Sequence, residues 1–345
     1  MLTKRLGVAV AVAAVIAGGV LWRVWPADGR GFCTASNKAA WIAALHRHPL
    51  PRGTKEDQPL YPALPAGQLH VLPHELQLWE PDGSHRRLLA VPFGERVGAV
   101  NSSSGWVVAA LGRYVPFDGY HPYRTEAFLA VRITDGRTVT VARRTGRAVL
   151  DGPWLVDGAV WWSDRAEGRR TAHRLDLATG TRTVPGTTRH LGQTLTARPQ
   201  GVGWWTADGV DFLSHRALPG PVEEAVPSMW GDRLVTDGTS YAWDDRKGIR
   251  WWQPGSTVAL VHYPHDYTWS PTDVAGPFAY VERNSEGTDY GILDVRTGAV
   301  IDDVSVTGPI GTVFPTQLGG LASLIFPYDR QQYEVVPSDL PELHC

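Results

Sequence analysis

The chain has 345 residues, enough for one large all-β domain or two ordinary ones, so core burial does not limit it. Its 33 Lys and Arg against 35 Asp and Glu give a formal net charge of -2, which excludes a global field favouring nucleic acid or an anionic membrane surface. With 37 Gly, 26 Pro and 43% hydrophobic residues, the composition excludes extended disorder and implies many turns between short strands.

In chain order, Lys4 and Arg5 precede the uncharged run Leu6 to Trp22. This run reads as an export signal that just reaches the length of a spanning helix, with the two cations on the cytoplasmic side. Trp22 and Trp25 have the placement of an interfacial aromatic belt and favour an uncleaved anchor. Cleavage after Val15-Ile16-Ala17 is the alternative. Residues 1–25 are thus a signal-anchor or signal peptide, and the expected product is a single-pass membrane protein with its body outside the cytoplasm, or a secreted one.

Residues 26–59 read as a stem. Ser36 is placed to cap a short helix, Asn37 to Leu45, with Trp41 and Ile42 on one face. Pro49, Pro51, Pro59, Pro62 and Pro65 then rule out helix or central strand and imply an extended linker. The two cysteines are Cys33, just after the apolar segment, and Cys345, the last residue. In an oxidising compartment such a pair is more often a disulfide than two free thiols, and a bridge would join the two ends of the domain.

From residue 60 to 345 the sequence repeats. One comb of glycines follows short polar turns at Gly83, Gly136, Gly180, Gly220, Gly255 and Gly298, with a mean spacing of 43 residues. A second comb precedes apolar runs at Gly67, Gly105, Gly158, Gly201, Gly231, Gly276 and Gly320, spaced by about 42 residues. Runs such as Ala159-Val160-Trp161-Trp162 are short, aromatic or β-branched, and bounded by Gly or Pro, which excludes helical repeats. A period slightly over 40 residues fits four-stranded blades, so the expected fold is an all-β, seven-bladed β-propeller, with six or eight blades as alternatives. The last unit shows only two clear runs, Leu321 to Phe326 and Gln332 to Val336; a strand from Leu60 to Leu72 would complete it and close the ring.

Leu175-Asp176-Leu177-Ala178-Thr179-Gly180 and Leu293-Asp294-Val295-Arg296-Thr297-Gly298 resemble the L-D-x-x-T-G hairpins of quinoprotein-type and related bacterial propellers, including YVTN-like and TolB-like repeats. The resemblance implies the fold and carries no activity, because the motif builds a turn. The Trp that quinoprotein repeats place a few residues later is missing, so no quinone cofactor is implied.

There is no G-x-S-x-G elbow, H-E-x-x-H, Walker loop or EF-hand loop, and no catalytic residue, metal or cofactor is expected. Thr206-Ala207-Asp208-Gly209 approximates a sialidase-type Asp box and reads as a turn. The pairs Trp161-Trp162, Trp204-Trp205 and Trp251-Trp252 are expected to fill gaps between blades, one ring on each sheet face. Glu223-Glu224, Asp244-Asp245 and Asp302-Asp303 read as solvated turn faces.

Two aromatic loops are the candidate ligand face, since function sits on loops held by a rigid scaffold. The first contributes Tyr114, Phe117, Asp118, Tyr120, His121 and Tyr123, and lies between the second and third strands of the second unit. The second contributes His262, His265, Asp266, Tyr267 and Trp269, between the fifth and sixth units. Both types of connection share one propeller face. His262, His265 and Asp266 have ligand chemistry, but their spacing matches no specific metal site. The expected role is a monomeric, non-catalytic module that binds a protein or cell-envelope glycan and is membrane-tethered through its first helix, without nucleic acid. A hydrolase or lyase acting on polysaccharide is the alternative.

Overall fold

The computed structural model describes residues 30–49, 63–64, 67–80, 82–102, 105–114, 123–190, 192–207, 209–226, 234–245, 247–263, 269–284, 288–301, 313–314, 323–325 and 332–345. These residues form seven sheets in succession along the chain. The first holds Ala63–Leu64, Gly67–Leu72, Glu75–Trp79 and His85–Ala90. The second holds Arg96–Ser102, Trp106–Tyr114, Tyr123–Arg132 and Thr138–Arg143, and the third Val149–Val156, Ala159–Ala166, Arg169–Asp176 and Arg182–Thr188. Three strands, Thr194–Arg198, Gly201–Thr206 and Gly209–His215, make the fourth. The fifth contains Val235–Thr236, Tyr241–Asp244, Gly248–Trp252 and Ala259–His262, and the sixth Trp269–Ala275, Phe278–Asn284, Thr288–Asp294 and Ala299–Ile301. Val313–Phe314, Ser323–Ile325 and Gln332–Glu334 form the seventh. Within each sheet consecutive strands pair antiparallel in sequence order, as in the second, where Trp106–Tyr114 lies between its two neighbours.

Strand alternation makes both faces of each inner sheet apolar, so sheets stack face to face. In Trp106–Tyr114, Val107, Ala109 and Leu111 pack on Leu69, Leu76 and Leu78 of the first sheet. Val108 and Ala110, one residue out of phase, pack on Val160, Trp162 and Leu175 of the third. Trp161 leaves the opposite face of its strand and joins Trp204, Val202 and Leu195 of the fourth sheet. Trp251 packs between the fifth and sixth sheets, and Trp252 against Leu234 and Trp243. The tryptophan pairs thus divide between the two faces of their sheets. Successive face-packed antiparallel meanders are the β-propeller architecture.

The expected closure is not the one formed. Gly67–Leu72 pairs with Ala63–Leu64 and Glu75–Trp79 inside the first sheet, because Leu69 and Val71 find their apolar partners there. Residues 30–34 instead lie along the outer edges of later sheets. Arg30–Gly31 adds in parallel to Ala259–His262 and Cys33–Thr34 to Ala299–Ile301, and Pro49 bridges to Tyr333 in the seventh sheet. Between them, helix α1 (Lys38–Leu45) buries Trp41, Ala44 and Leu45 against Phe278, Ile292, Val335, Leu340 and Leu343. Ser36 does not cap this helix: its hydroxyl donates to the His344 carbonyl, and Asn37 takes the N-cap position. Asn37 Oδ1 accepts from the His344 N–H at 2.9 Å, and its amide donates to the Glu342 carbonyl at 2.8 Å. Cys33 and Cys345 are disulfide-bonded, with Cα atoms 5.5 Å apart.

Gly220 departs from its comb: it opens helix α2 (Gly220–Ala225), since Pro219 and Pro221 favour a helix start over a hairpin turn. Asp244 and Asp245 are also not solvated. Asp244 is buried, and Asp245 accepts from the Lys247 and Gly248 N–H groups and pairs with Arg250. The apolar run Leu6 to Trp22, Gly231, Gly320 and Asp302-Asp303 lie outside the described residues. Among those described, no helix is long and apolar enough to cross a membrane.

Candidate functional site

Strand order gives each sheet two ends. One carries the connections between second and third strands together with the sheet-to-sheet connections; the other carries the remaining tight turns. Tyr114 and Tyr123 form the last antiparallel pair of their hairpin at the first kind of end. Phe117, Asp118, Tyr120 and His121, within that hairpin's connection, lie outside the described residues, as do His265, Asp266 and Tyr267. His262 closes the fifth sheet, paired with Gly248 on one side and Gly31 on the other. Trp269 is not on an open loop. It starts the sixth sheet, is only 7% exposed and stacks on Phe32 with centroids 6.1 Å apart; its carbonyl accepts from the Tyr263 hydroxyl. The N-terminal segment covers it. Among the described residues no three His, Cys, Asp or Glu side chains are grouped to hold a metal ion.

The same end of the second and third sheets carries a feature the sequence reading missed. Arg96, Arg113, Arg124, Arg143, Arg147, Arg165 and Arg169 are all exposed there. Most acids of this end are paired. Glu95 is buried and pairs with Arg113 at 3.6 Å; Glu126 pairs with Arg124 at 2.6 Å and Arg144 at 3.7 Å. Asp151 accepts from Arg170 at 2.6 Å, and His173 lies 2.8 Å from Asp164. Glu167 is the one exposed acid among the described residues of this end of the two sheets. Phe93, in the connection from first to second sheet, is fully exposed, and Val149, opening the third, is partly so. The signal was present in sequence as Arg143-Arg144, Arg147 and the arginines flanking the aromatic loop. It was hidden because a near-zero net charge averages over both ends.

The opposite end is built from turn carboxylates whose acidity reflects local hydrogen bonds. Asp176 accepts from the Thr179 N–H and hydroxyl and the Ala178 N–H, which hold it below the usual carboxylate range. Asp135 is lowered to about 2, first by its hydrogen bond from Arg132 and then by the Arg137 N–H. Asp82 is lowered by Ser84 in the same way. In the sixth sheet Asp294, fully buried, raises the Arg296 guanidinium through a 2.6 Å hydrogen bond and accepts from the Leu343 N–H. These groups shape turns and tie down the chain end.

No protein-family model and no curated protein matches the chain. Several solved structures are similar in fold. TolB from Acinetobacter baumannii is 16% identical, with 92% of this chain and 96% of that one covered and a TM-score of 0.33. A chain of the mitotic checkpoint complex is 13% identical, with 90% and 93% covered and a TM-score of 0.41. The β-propeller domain of the Trilobed protease from Pyrococcus furiosus is 10% identical, with 72% and 98% covered and a TM-score of 0.33. Likenesses at these identities and scores bring over no activity, ligand or partner.

Proposed function

We propose that the chain is an extracytoplasmic, seven-bladed propeller that binds a protein or cell-envelope glycan without catalysis, tethered at the membrane by its apolar start. One observation carries the binding role. At one end of the second and third sheets seven arginines are exposed against one exposed acid, Glu167, while Glu95, Glu126 and Asp151 are engaged in ion pairs. Such a surface favours an oppositely charged partner and steers its approach. The connections 115–122 and 264–268 depart from this same kind of sheet end, which supports the two loops and the arginines forming one binding rim. Seven successive sheets support seven blades, and the disulfide fits an oxidising compartment.

Photo-crosslinking amino acids at Tyr120 and Arg147, and at Asp82 and Gly136 on the opposite end, test the reading in producing cells. Adducts are expected from the first pair only. Equal adducts from both ends would remove the binding role from this rim.

A further inference from the structure

We propose that the arginine shell of the second and third sheets docks an acidic segment of a partner protein, with Phe93 and Val149 as its apolar contacts; this rests on the binding role proposed above for that rim. Cross-strand pairing carries the case. Arg113 lies directly opposite Arg124 at the end of one hairpin, and Arg165 opposite Arg170 at the end of the next. Like charges in that position destabilise a sheet, so two adjacent hairpins carry the same local conflict. Internal acids relieve part of it, through Glu95, Glu126 and Asp151. Arg143, Arg147, Arg165 and Arg169 have no acidic partner among the described residues. A ligand presenting several carboxylates in a row would complete the neutralisation, because each guanidinium fork takes a carboxylate through two parallel hydrogen bonds.

Protein is favoured over glycan by the apolar residues of the rim. Phe93 is fully exposed beside Glu95 and Arg96, and the aliphatic Val149 is exposed at the same end. An exposed aromatic side chain among arginines matches the composition of protein–protein interfaces. A valine offers no flat face on which a sugar ring could stack.

The test uses the purified full chain in mild detergent and fluorescence anisotropy. The probes are labelled peptides of glutamate alone, glutamate interrupted by leucine, and polygalacturonate as the glycan of like charge. Both peptides are expected to bind, with affinity falling as salt rises. R143E/R165E should weaken them by about tenfold or more, whereas R137E/R216E at the opposite end should not. F93S should weaken only the leucine-containing peptide. Circular dichroism matching the unsubstituted chain separates these effects from misfolding. Equal losses from the two double variants would overturn the proposal. So would polygalacturonate binding more tightly than either peptide with F93S indifferent, which makes the rim a glycan face. No peptide binding while the Tyr120 adducts persist would sink the acidic partner alone; loss of those adducts would sink the binding role itself.

Discussion

Asp135 shows how a single turn residue acquires its chemistry here. Its carboxylate accepts from Arg132 Nε at 2.9 Å and from the Arg137 N–H at 3.1 Å, while remaining on the surface. Both bonds need the charged form, so the carboxyl falls from its ordinary 3.8 to about 2. A folded-state value below the unfolded one means the turn is supported above about pH 3.8 and loses that support as pH falls towards about 2. The side-chain carboxyl carbon of Asp135 should therefore titrate near pH 2 by NMR. In R132Q the midpoint should rise without fully reaching 3.8, since the Arg137 N–H still donates. An unchanged midpoint would mean that Arg132 contributes nothing. Such roles are legible where the motif is local: Asp176 and Asp294 were visible in L-D-x-x-T-G because all but one of their bonds lie within a few residues. Asp245 was misread although its bonds are as local, to the Lys247 and Gly248 N–H groups and to Arg250 in the next strand, because a pair of adjacent carboxylates carries no turn motif that shows them.

At the scale of elements, glycine combs located hairpins because tight turns need positive φ; Gly180 and Gly298 adopt it at 74° and 81°. The edge strands Arg30–Gly31 and Cys33–Thr34 were invisible for a physical reason. Two residues carry no periodicity, and their pairing partners lie more than 200 positions away. The cysteines were the one sequence clue to that seam. With its cysteines 312 positions apart in sequence, the disulfide constrains the unfolded chain strongly, while Ser36, Asn37 and helix α1 hold the same ends in the folded state. C33S/C345S should therefore fold and bind as before, but lose about 2–5 kcal/mol of stability in urea unfolding. A loss under about 0.5 kcal/mol would show that the non-covalent seam suffices in both states.

The whole molecule divides its core unevenly. Apolar clusters run without a break from the first sheet to the fourth, through Leu76 and Val107, Ala110 and Trp162, then Trp161 and Trp204. Others join the fifth sheet to the sixth and the sixth to α1, Tyr333 and the chain end. Among the described residues no buried apolar cluster contains residues of both the fourth and fifth sheets. Among the described residues the fourth sheet has no outer strand; α2 follows it in the chain, and its Val222 packs on Trp243 and Trp252 of the fifth sheet. Cooperative opening follows continuous packing, so the chain should behave as two units: residues 63–215, and residues 220–345 with the strapped N-terminal segment. In native-state hydrogen exchange at low denaturant, amides of Val107–Leu111 and Val160–Trp162 should open together, and those of Ala279–Val281 and Leu293 together with Trp41. C33S/C345S should lower protection of the second group more than the first, because both cysteines belong to that unit. A single isotherm for all these amides, shifted equally by the substitutions, would instead mean that the seven sheets open as one body, with the fourth-to-fifth junction as strong as the rest.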